Sequence, residues 1–281
     1  MPRRISISLL SSVSVVAALA GWSATDSGAL AQEVQCAEAN GTATCPAGTD
    51  SDGFTSDTEA LTLQIVDGGT VETAIDGTDT VVLTGADSSV LVTGGGTVRA
   101  VGDMGAGLVL DGTGSSLALD GLIETTGDMG PAVILAPNGS VAISETGSIA
   151  TSGDGAFGLA AGTNGALDIA GSVTTQGDQA GAIAASTGVS VALGSTASIE
   201  TAGNGATGIA LAGNNAVTIA EGASIATAGA SAGGSDPAAL SLLSGGTNIS
   251  NSGSLTSQAG PVIDVMTGAT GGANTLTNSG S

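Results

Sequence analysis

Few side chains in this sequence of 281 residues can do chemistry, and the most regular of them are aspartates. Asp103, Asp128, Asp154 and Asp178 each follow a Gly and recur at steps of 24–26 residues, with Asn204 in the next place. If equal steps mean stacked coils, the four carboxylates lie about one strand spacing apart. Carboxylates that close repel one another, and a hard cation such as Ca²⁺ bridging them would relieve the repulsion. The competing reading is that each Asp favours a left-handed or Asx turn and faces water. The repeated nonapeptide of Ca²⁺-binding β-rolls is absent.

Most catalytic chemistry is excluded by what is missing. The sequence has no His, Lys or Tyr. A His-based triad, a Schiff-base lysine and a P-loop lysine are therefore impossible. Twenty-five acidic residues against three basic ones give a net charge of −22, which excludes a nucleic-acid binder, because phosphate contacts need Lys and Arg. Carboxylate-driven cleavage of polysaccharides is the enzymatic alternative that remains. No acidic pair stands apart from the turn pattern to carry it, so no catalytic residue is expected. Ca²⁺ is the one cofactor the residues suggest.

A second column is Thr125, Thr151, Thr175, Thr201 and Thr227. It reads either as a hydroxyl ladder on the inward side or as an ice- or water-ordering face. The latter needs flat outward Thr arrays. The neighbouring positions Glu124, Ala150, Thr174, Glu200 and Ala226 are too mixed for one.

The beginning of the chain is an export signal in outline. Arg3 and Arg4 precede an apolar stretch over 5–21, and Ala29-Leu30-Ala31 matches a small-x-small cleavage pattern. Residues 1–31 are expected to be a signal peptide cleaved after Ala31. Arg99 is then the only base of the mature chain. An exported chain meets oxidising conditions, and Cys36 and Cys45 bracket a turn-forming Asn40-Gly41. A hairpin disulfide follows. Two Cys without His supply too few ligands for zinc.

These residues are positioned by a repeat. The phrase Gly-Ser-Ile-Ala-Thr-Ser-Gly-Asp at 147–154 returns as Gly-Ser-Val-Thr-Thr-Gln-Gly-Asp at 171–178. Aligning Val71, Val98, Ile123, Ile149, Val173, Ile199, Ile225 and Leu255 gives steps of 24–30 residues. A second column runs through Leu108, Val133, Leu159, Ile183 and Ile209. A third consists of pairs two apart: Leu117/Leu119, Val141/Ile143, Leu167/Ile169, Val189/Val191 and Val217/Ile219. A spacing of two places both members on one side of a strand. Gly-rich breaks separate the patches, and the high content of Gly (48 residues) reads as turn chemistry.

Three short strands per repeat bury little alone but stack into continuous aliphatic ladders. The expected fold is all-β: a parallel β-helix of about eight coils, right-handed because parallel crossovers are. The expected layout is a disulfide-pinned cap over 32–68 and repeats of about 26 residues over 69–281. The last coil is truncated.

A signal peptide, a short Cys-bracketed segment and Gly-Ser-Ile-x-Thr-x-Gly repeats resemble the passenger region of bacterial autotransporters. The resemblance implies export and display at the cell surface through an outer-membrane translocator barrel, the implied partner. It implies a structural or adhesive stalk that meets a host surface or copies of itself. No barrel-like segment follows, and the last residues open another repeat, so a fragment of a longer chain is expected.

Overall fold

The computed structural model describes residues 34–232, 236–266 and 271–281. The expected signal peptide and its cleavage point at Ala31 lie outside the described residues. The described chain is a parallel β-solenoid without helix. Each coil lays down three short strands on three faces, as in Ala166–Ile169, Ser172–Thr175 and Ile183–Ala185. The faces are sheets of eleven, nine and nine strands. Nine levels make eight coil-to-coil steps, a rise of roughly 40 Å at ~4.8 Å per step.

The ladders keep the spacing read from sequence. On the second face Val71, Val98, Ile123, Ile149, Val173, Ile199, Ile225 and Leu255 lie in one register. On the third face Leu108, Val133, Leu159, Ile183 and Ile209 do the same. Strand burial alternates, inward residues being almost wholly buried and outward ones wetter. That is the period of two expected of a pleated strand with one face in the core.

One pair moves. Val191 stands beside Leu167, and Leu193 beside Ile169, so the first-face pair of that coil is Val191/Leu193 rather than Val189/Val191. Val189 sits in the preceding corner, buried, and donates its amide to Asn215 Oδ1 at 2.7 Å. A slip of two residues keeps every side chain pointing the same way, so periodicity alone does not detect it.

The solenoid also begins earlier than the expected boundary at residue 69. Thr42–Cys45 and Gly48–Asp50 already pair in parallel with Thr62–Ile65 and Gly69–Thr73. The cap proper is β1 (Ala37–Ala39), the one antiparallel strand among the described residues, folded onto β2 (Thr42–Cys45). Asn40 and Gly41 both take positive φ between them, the geometry of a tight hairpin turn. Cys36 and Cys45 are disulfide-bonded across this hairpin. Asp50 accepts the Cys36 amide at 2.7 Å, and Glu38 accepts the Thr58 and Ser56 hydroxyls at 2.9 and 3.1 Å.

Glycine has a second use that turn chemistry does not cover. Gly127, Gly153, Gly177, Gly203 and Gly229 stack at one corner, outside the positive-φ set. A Cβ on each of the five would collide with the carbonyl of the glycine one coil before it, Gly102 in the case of Gly127. Close stacking of corner backbones, not a left-handed conformation, demands Gly in this column. The left-handed residue lies two places on, at Met129, Gly155, Gln179 and Gly205.

Candidate functional site

The Asp column sits on the corner between the second and third faces, and its geometry is that of a stitch. Asp128 accepts the amide of Asp154 at 2.8 Å, Asp154 that of Asp178 at 2.8 Å, and Asp178 that of Asn204 at 2.8 Å. Asp103 serves Asp128 at 2.9 Å, and Asn204 serves Ala230 at 3.0 Å. Each side chain extends the parallel ladder by one bond where the strand has ended. The side chains are solvent-exposed, and one oxygen of each engaged carboxylate remains free for water or a ligand. Among the described residues, no group of three or more His, Cys, Asp or Glu side chains is placed to hold a metal ion.

The Thr column closes the same corner from inside. Thr125, Thr151 and Thr175 are buried and donate to the carbonyls of Gly130, Ala156 and Ala180 at 3.0, 3.2 and 2.7 Å. Each hydroxyl spans five residues, bridging the Asp turn. An outward hydroxyl array is thus absent at these positions.

Arg99 lies on the outward side of the second face. It pairs with Glu72 in the coil before at 3.3 Å and with Glu124 in the coil after at 3.1 Å. Its Nε faces Glu124 without hydrogen-bond alignment, so that contact is an ion pair only. Asp120, on the opposite corner, accepts the Ser144 and Thr146 hydroxyls and the Gly94 amide. The Ser144 bond first, then Thr146, holds its carboxyl below the usual range.

The outward side of the third face is different in kind. Its strands are three residues long, so a single residue per coil points out. From the second to the seventh of these levels those residues are Val82, Val109, Ile134, Ala160, Ala184 and Ala210. None carries a charge. The side chains shorten to Ala over three consecutive coils, and the face sinks into a trough of about 420 Å³ between Ile134 and Leu243. Beside it, sharing Ala210 and Leu243, lies a second hollow of about 440 Å³ with Phe157, Asp236 and Asp264 on its walls. The Phe157 ring covers Gly181, where a Cβ would meet it.

The apolar edge of this face was not read from the sequence. The signal was present: apolar residues fall between the inward members of the second column, at Val109, Ile134, Ala160 and Ala184. A three-residue strand offers too short a run to separate an outward apolar position from a buried one.

No family model, curated protein or solved structure matches this chain.

Proposed function

We propose that this chain is a structural or adhesive stalk displayed outside the cytoplasm, in the manner of an autotransporter passenger. The observation that supports it best is the unbroken register of the ladders from the disulfide-pinned cap onward. Each coil contacts chiefly its neighbours, so such a rod transmits position along its length and tolerates added coils. The disulfide suits an oxidising compartment. The acidic surface opposes edge-to-edge pairing and keeps an exported repeat soluble. A translocator barrel in the outer membrane is the partner this reading requires. Contact with a host surface or with further copies is the role it assigns.

The test is location. Intact cells expressing the native gene are treated with an external protease, and the protein is followed by antibody. Loss of the signal from intact cells supports surface display. Protection until the cells are lysed overturns it. Reproducible cleavage of an acidic polysaccharide by the purified protein would favour the enzymatic alternative instead.

A further inference from the structure

We propose that the third face is a docking site for a cationic amphipathic helix. This goes beyond the stalk reading and does not rest on it, since it concerns the isolated protein.

Three observations lead to that occupant. The first is the trough, whose floor is Ala160, Ala184 and Ala210 and which lies beside the Phe157 ring. The second is an exposed apolar row at the corner where the chain enters this face, on the coils leading up to the trough. Ile75, Met104 and Met129 are 68%, 58% and 62% exposed on successive coils. Methionine on a surface adapts to varied apolar partners. The third is charge. Asp103, Asp128, Asp154 and Asp178 run along this corner at one per coil, each with an oxygen left over, and Asp264 is on the wall of the adjoining hollow. An apolar floor on this face, with a row of carboxylates at the corner beside the face and Asp236 and Asp264 in the adjoining hollow, complements a partner with aliphatic side chains on one side and Lys or Arg beside them.

The form of the partner follows from the backbone. Along the trough each strand of this face is paired with a coil on both sides, so the trough offers no edge for an added strand. An occupant must satisfy its own backbone, as a helix does. At this face a second copy or an anionic lipid surface would bring like charge against the Asp column, whereas a cationic partner would not.

The probe is a fluorescent synthetic peptide of four Leu-Lys-Lys-Leu units, titrated into the purified protein at low and physiological salt. One control peptide replaces Lys with Glu, and another replaces Leu with Ser. Two protein variants go with it: Ala184→Lys in the trough and Ala142→Lys on the outward side of the first face. Circular dichroism establishes that both fold. The expected result is saturable binding of the Leu-Lys peptide only, weakened about tenfold or more by Ala184→Lys and little changed by Ala142→Lys. Equal binding of the Ser control would reduce the effect to bulk charge and overturn the proposal. So would equal losses in the two variants, or no binding. Sedimentation of the protein alone is the last arm. A dimer abolished by Ala184→Lys would assign the face to a second copy instead.

Discussion

The carboxylate of Asp128 accepts the amide proton of Asp154 at 2.8 Å, one coil further along the chain. The same bond recurs from Asp103 to Asn204, so a column of side chains prolongs the second-face ladder around its corner. Asp128→Leu should remove one such bond and destabilise the protein by about 0.5–1.5 kcal/mol in urea unfolding. Asp128→Asn should cost much less, because Asn204 already makes the bond through its amide oxygen. Equal losses in the two variants would show that charge, not the hydrogen bond, matters there.

Calcium should leave the melting temperature unchanged. Each column carboxylate serves a backbone amide, and no three acidic groups among the described residues are placed around one point. A clear rise in thermal stability on titrating Ca²⁺ into the metal-free protein would revive a bridging role.

Gly153→Ala should be costly. Its Cβ would collide with the backbone of Gly127, and backbone does not swing aside as a side chain does. A loss of about 1–3 kcal/mol or more is expected from the overpacking. Gly155→Ala tests the other use of glycine. Its φ is +67°, the added Cβ would touch only the flexible Met129 side chain, and the cost should stay near the ~1–2 kcal/mol of a left-handed residue. The ordering of the two variants, measured by denaturant unfolding, is the check.

Thr175→Val should strand a buried carbonyl. The Thr175 hydroxyl donates to the Ala180 carbonyl at 2.7 Å inside the corner. Valine keeps the shape but removes the donor, at an expected cost of about 1–3 kcal/mol. Thr175→Ser should recover much of that loss. If it recovers nothing, the methyl group rather than the hydroxyl carries the effect.

Asp120 should contribute a small acid-labile increment. The Ser144 and Thr146 hydroxyls lower its pKa from the ordinary 3.8. The folded state therefore favours the ionised form. The increment is complete above the unfolded pKa and disappears as pH falls through the lower folded value. Asp120→Asn should flatten that part of the stability–pH curve by removing the small increment at neutral pH, while the acid end stays nearly unchanged. A variant curve that still parallels the wild-type one in acid would remove Asp120 from the account.

The sequence by itself determined the coil. Ile149, Val173 and Ile199 could be aligned by eye, and each lies beside the next in the ladder. That is because a parallel solenoid pairs each strand with its own copy one repeat on, so sequence period and spatial register are the same quantity. The Cys36–Cys45 hairpin was legible for a similar reason, being local. The corners and outer faces were not legible. Val189 reads as an inward strand residue until corner hydrogen bonds place it. Gly153 and Gly155 look alike in sequence, yet one answers to the neighbouring coil and the other to its own φ. The Asp column suggested a cation in sequence, whereas the fold turns each carboxylate toward an amide. The Ala160–Ala184–Ala210 trough depends on what stands at its two ends, Ile134 and Leu243, which are far apart along the chain. Periodicity records which side a residue faces within a strand; contacts across coils, where depth, collision and hydrogen bonding are settled, exist only once the coils have stacked.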